Sequence, residues 1–125
     1  MVNVAQLFEM NDIVNRVRSV LTPDLLSKKW RAKVSSVGGV AGHCYLAAEV
    51  CFHLLGGREE GWVACVANLG NDETHWWLVN RDDGTICDPT WDQFSKPFDY
   101  SIGKRTGFLT RFPSKRAQEV MRRLG

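Results

Sequence analysis

Apolar residues at Val4, Leu7, Phe8, Val14, Val17, Val20 and Leu21 return at helical spacing. That recurrence places them on one face of a helix, so the N-terminus is predicted to form an amphipathic helix. Thr22-Pro23-Asp24 follows and predicts a second, short helix reaching Trp30. There the threonine caps, the proline takes the first turn, and the aspartate faces the positive end of the helix dipole. Ser35 to Gly42 is a run of small residues, read as a loop.

The pattern then becomes densely apolar. Cys44 to Leu55 reads as a helix stopped by Gly56-Gly57, a C-terminal glycine signal. Cys44, Ala48, Cys51 and Leu55 fall on one face, small and apolar enough to lie against a sheet. Beyond it the segments Trp62–Ala67, Thr74–Asn80 and Thr85–Asp88 read as strands joined by short turns. Pro113-Ser114 introduces a basic helix from Lys115 to Leu124. A helix followed by antiparallel strands points to an α+β fold.

A chain of 125 residues is expected to form one domain with a core that needs no metal or disulfide. Its net charge of +2 is unremarkable, but the distribution is uneven. From Tyr100 onward, Lys104, Arg105, Arg111, Lys115, Arg116, Arg122 and Arg123 face a single acid, Glu119, whereas Gly57 to Asp99 is acidic. Such asymmetry can mark a docking surface, although a solvated charged tail is more common. No segment has the length of a membrane span and the start lacks a signal-peptide pattern, so a cytoplasmic protein with no membrane partner is expected. Cys44, Cys51, Cys65 and Cys87 are then expected to stay reduced. None has the Cys-x-x-Cys spacing of a zinc site, and no nucleotide-binding glycine signature is present. Neither a metal nor a cofactor is implied.

Thiol catalysis needs a thiolate to attack, an imidazole to move its proton and a carboxylate to hold the imidazole. Cys51, Cys65 and Cys87 read as small, inert core residues. Cys44 differs, because it opens a helix directly after a glycine-rich loop. Free backbone N–H groups and the helix dipole favour a thiolate there and can lower its pKa. The Cys44 N–H can also donate to an oxyanion. Among the histidines, His43 neighbours the cysteine but points about 100° away around the helix. His53 lies inside the helix. His75, carried on a strand, is the one that can be set opposite Cys44.

Strand parity singles out Asp88 among the carboxylates. With an even-numbered loop, His75, Trp77, Val79, Ile86 and Asp88 share one face, taken here as the face towards the Cys44 helix. Register decides how close they come. A two-residue Asp83-Gly84 turn would leave His75 about 13 Å from Asp88. A loop centred on Arg81-Asp82 would set the two opposite, and catalysis favours that arrangement. The bland reading of Asp88-Pro89-Thr90 is a capped turn. By parity Trp77 joins the site face as a wall for substrate, though core burial accounts for it equally well. Glu49 is expected at the surface.

Gly42-His43-Cys44, Leu55-Gly56-Gly57, His75-Trp76-Trp77-Leu78-Val79 and Asp88-Pro89-Thr90-Trp91 stand in that order. Over residues 42–91 this series resembles the transglutaminase-like branch of the papain-like cysteine hydrolase superfamily. It is also similar to small proteins carried by bacteriophages, which implies a host cytoplasm. The resemblance implies a single transglutaminase-like domain over residues 1–125. Its Cys-bearing helix would pack on a small antiparallel sheet, with extra N- and C-terminal helices. It further implies Cys44 as nucleophile, His75 as base and Asp88 as the third member of a triad. Papain-like enzymes carry a glutamine shortly before the cysteine, and none lies between Asn15 and Cys44. Transglutaminases use an upstream tryptophan, for which Trp30 is the available residue.

The expected function is a cysteine-dependent amide or acyl hydrolase, such as a peptidase, deamidase or amidase, or a related acyltransferase. Its substrate would be a peptide, a protein side-chain amide or a small amide. The rival is a non-catalytic binding protein that turns its basic C-terminal region to an acidic partner. Nucleic acid is a less favoured case of this, with Arg105, Arg111, Lys115, Arg116, Arg122 and Arg123 meeting phosphates and Phe108 and Phe112 interleaved.

Overall fold

Two long strands organise the molecule: Trp62–Gly70 (β1) and Glu73–Asn80 (β2), apolar on both faces where they pair. The structure is a computed structural model and describes residues 4–22, 24, 43–70, 73–94, 96–108 and 110–125. β1 and β2 run antiparallel from Trp62 opposite Asn80 to Asn68 opposite Thr74, with a bulge before Gly70. Ile86–Cys87 (β3) pairs with the far side of β2, and Lys104–Thr106 (β4) with the far side of β1. The order is β3-β2-β1-β4, antiparallel throughout. Among the described residues three α-helices complete the α+β fold: Val4–Ser19 (α1), Cys44–Leu54 (α2) and Lys115–Leu124 (α3).

One sheet face presents Trp62, Ala64, Leu78 and Cys87 to the helices. They share a core with Leu46, Ala47, Ala48, Val50 and Cys51 of α2, Met10 and Val17 of α1, and Ala117 and Val120 of α3. α2 is therefore sandwiched between the sheet and the two other helices, and its buried surface is wider than the Cys44–Leu55 stripe. The other face carries Cys65, Ala67 and Trp77, covered by Phe98 and Tyr100 from the segment after β3.

Glu49 is not at the surface. It is fully buried, and its two oxygens accept from the Ser114 N–H and hydroxyl, each at 2.8 Å. Ser114 Oγ in turn accepts from Ala117 N at 3.2 Å and caps α3. A buried carboxylate is tolerated only when hydrogen-bonded, and here one carboxylate ties two helices together.

The hairpin register lies between the two anticipated. Leu78 stands opposite Cys87 and Val79 opposite Ile86, around a four-residue turn in which Asn80 N donates to Thr85 O and Gly84 N to Asn80 O, both at 2.8 Å. Parity is as expected, but the face is not. Leu78 and Trp76 pack on the α2 core, so His75, Trp77 and Val79 point to the opposite face. The short helix anticipated from Thr22 to Trp30 and the Ser35–Gly42 loop fall in or lead into residues 25–42, outside the described residues. Among the described residues no helix is long and apolar enough to cross a membrane.

Candidate active site

Alternation of hydrogen bonding along β2 places the cysteine. Because Asn80 N bonds to Thr85 O, the backbone groups of even-numbered β2 residues point towards the β3 side. β3 ends at Cys87, opposite Leu78, so the amide and carbonyl groups of Thr74 and Trp76 project from an edge with no strand beside it among the described residues. The first turn of α2 closes that edge. Cys44 Sγ donates to Thr74 O at 3.5 Å, and the Trp76 N–H lies against the same sulfur. The thiol thus sits on the backbone immediately before and after His75.

His75 is fully buried on the second face, and its Nε2 lies 2.7 Å from Asp88 Oδ2. Extending the observed register puts Asp88 opposite Trp77, and its side chain reaches diagonally to His75, within the span of a cross-strand neighbour. With Nε2–H donating to the carboxylate, Nδ1 carries the lone pair. That Nδ1 is buried and makes no hydrogen bond, so none joins the imidazole to the Cys44 thiol. Asp88 Oδ1 accepts from Thr90 N at 3.2 Å. Asp88 thus bonds the histidine through Oδ2 and caps the following turn through Oδ1.

Aromatic rings fix the imidazole. Trp77 stacks on it at 5.5 Å and 26°, while Phe94 and Phe98 approach edge-on at 4.8 and 4.7 Å. Trp77 is only 2% exposed, so it backs the histidine instead of presenting a wall to substrate. Gly103 permits that burial, since a Cβ there would come within 2.2 Å of the Trp77 ring. Trp30, the upstream tryptophan suggested by resemblance, lies outside the described residues.

Burial pushes the Cys44 thiol above its ordinary pKa, and the Asp88 charge adds to the rise. The N–H groups of Trp76, Tyr45 and Cys44 itself pull the other way. The helix-start effect anticipated from sequence is present but outweighed, and the resting sulfur is a neutral donor to Thr74. The other cysteines are also buried and free. Cys51 is pushed well up, first by its hydrogen bond with the Cys87 thiol and then by burial. His43 Nε2 lies 3.1 Å from Thr22 O, which ties that ring to the chain beyond α1.

Two residues with no local sequence signal complete the arrangement. Tyr100 donates to Asp88 Oδ2 at 2.8 Å. Arg18 of α1 donates to Pro89 O at 2.8 Å and pairs with Asp92 through its two terminal guanidinium nitrogens at 2.8 and 2.6 Å, anchoring the turn that follows Asp88. Among the described residues no group of three His, Cys, Asp or Glu side chains could hold a metal. Comparison with protein-family models, curated proteins and solved structures finds no match for this chain.

Proposed function

We propose that this protein is a cysteine-dependent amide or acyl hydrolase on a transglutaminase-like core, with Cys44 as nucleophile, His75 as base and Asp88 as the residue that holds the base. The observation that carries this reading is the buried His75–Asp88 pair at 2.7 Å, with Nδ1 left unbonded and the Cys44 thiol resting on the carbonyl of the preceding residue.

Activation is a turn of the Cys44 side chain from Thr74 O to His75 Nδ1. The imidazole takes the thiol proton, and the sulfur attacks the substrate carbonyl carbon. The Cys44 N–H at the start of α2 donates to the resulting oxyanion. Collapse of the adduct passes the proton from imidazolium to the leaving amine and leaves a thioester on Cys44. Water, deprotonated by His75, then releases the acid and the free thiol. An amine acceptor in place of water would give acyl transfer. Hydrolysis is the simpler outcome, because water needs no acceptor site of its own. Substrates are peptides, protein side-chain amides or small amides.

The test is to screen small thioesters and peptide amides with intact-mass detection of the acyl-enzyme. The wild type should carry one acyl group on Cys44, and Cys44→Ala and His75→Gln should carry none. Acylation of Cys65, or equal acylation of folded His75→Gln, would remove the proposed roles.

A further inference from the structure

Among the described residues the basic side chains differ in what they touch, and Arg16 on α1 and Lys96 beyond β3 are exposed outside the groups considered next. Arg18, Arg122 and Arg123 are engaged with Asp92, Glu119 and Asp24. Arg58, Lys104, Arg105, Arg111, Lys115 and Arg116 are all exposed, and none pairs with a carboxylate among the described residues. Glu59 and Glu60 share a short turn with Arg58 without pairing to it.

Folding brings Arg58, Lys104 and Arg111 to one side of the sheet, whereas Arg105 alternates to the other face, beside Cys65. Arg58 and Arg111 line a groove of about 190 Å³ with the rings of Phe52 and Phe108 and with Thr106. Lys104, two residues before Thr106 on β4, shares its face. Lys115 and Arg116 open α3, whose first turn contains no acid. Cations at a helix N-terminus oppose the dipole, and here the buried Glu49 carboxylate bonded to Ser114 is the anion that faces it. Phe112, between Arg111 and Lys115, is 75% exposed, and its carbonyl accepts from Thr110 Oγ1 at 2.6 Å, which holds the backbone that carries the ring.

We infer that this side of the molecule, from Arg58 across β4 to the start of α3, binds single-stranded nucleic acid. Phosphates sit on Arg58, Lys104, Arg111, Lys115 and Arg116, and an unstacked base lies on Phe112. An acidic protein would be served by the cations alone and gives no role to a solvent-facing ring. A duplex keeps its bases stacked away from that ring. β4 borders β1, whereas the Cys44 thiol lies at the opposite edge of β2, and Phe108 of the groove packs on Tyr45 and Trp76 between them.

The experiment is fluorescence anisotropy of a labelled single-stranded thymine oligonucleotide with the full chain over a salt series. Binding should weaken with salt, with a log–log slope of about −0.7 for each phosphate contacted. Arg58→Gln with Arg111→Gln should weaken binding and flatten that slope. Phe112→Ala should weaken binding about tenfold at unchanged slope, and Cys44→Ala should leave it intact. Thermal melting checks that each variant is folded. No binding at low salt, or binding unaltered in folded Arg58→Gln/Arg111→Gln protein, would overturn the inference. So would equal affinity for polyglutamate, which assigns the surface to an acidic protein, or equal affinity for a duplex with no dependence on Phe112.

Discussion

Tyr100 and His75 share one acceptor: the phenol donates to Asp88 Oδ2 at 2.8 Å and the imidazole Nε2 lies 2.7 Å from the same oxygen. Burial, then the hydrogen bond and charge of Asp88, hold Tyr100 far above the ordinary phenol pKa. It therefore remains a proton donor wherever the fold survives. A second donor on Oδ2 spreads the carboxylate's negative charge and weakens its hold on an imidazolium.

Tyr100→Phe removes that donor and keeps the ring that packs on Trp77 and Phe98. Losing one of the two hydrogen bonds to Asp88 Oδ2 should lower stability by about 1 kcal/mol and reduce turnover as the carboxylate loses its fixed position. Urea unfolding and turnover of wild type and variant are the measurements. Unchanged values for both would show that Tyr100 only packs.

Asp88→Asn should leave a folded protein with severely reduced turnover. The amide can keep one hydrogen bond to the ring, but it favours the opposite tautomer and cannot stabilise imidazolium. The same change costs a serine triad about 10⁴ in kcat, and a thiol, more acidic than a hydroxyl, should lose less. Asp83→Asn is the control, since Asp83 Oδ1 accepts from Thr85 N at 2.9 Å in an exposed turn and an Asn oxygen can do the same. Turnover with melting as a folding check separates the outcomes. Near-full activity in Asp88→Asn reduces the triad to a dyad, and early melting makes Asp88 a turn residue.

Ser114→Ala should destabilise the fold by about 1–3 kcal/mol without changing turnover per folded molecule. It deletes the N-cap of α3 and one of the two donors to buried Glu49. Urea unfolding gives the stability loss, and an unchanged midpoint would show that the Ser114 N–H alone satisfies Glu49.

Much of this architecture is legible in the sequence where signals are local. α2, the two long strands and the Ser114-capped helix follow from apolar density, alternation and capping. The even parity that puts His75 and Asp88 on one face also holds. Which face the helix covers was not legible, because Trp77 and Leu78 are equally apolar and both faces are buried. The register turned on Asn80. Its side chain accepts from Asp82 N at 3.0 Å and donates to Glu60 O at 3.1 Å, which favours a four-residue turn over the Asp83-Gly84 pair. β4 escaped because Lys104-Arg105-Thr106 has no apolar alternation. Glu49, Arg18 and Tyr100 escaped because their partners lie 65, 71 and 12 residues away.

The thiol itself offers the most direct test of Cys44 activation by His75. At 6% exposure Cys44 is no more accessible than Cys65, and burial pushes both thiols up. Exposure therefore gives no reason for selective labelling. Brief iodoacetamide treatment across a pH series, followed by peptide mapping, should show Cys44 labelled near neutral pH ahead of Cys51, Cys65 and Cys87. In His75→Gln that labelling should be lost and return only above the ordinary thiol range, as expected for a sulfur whose raised pKa no base offsets. Equal labelling of Cys44 and Cys65, or a Cys44 profile unchanged in folded His75→Gln, would contradict the account.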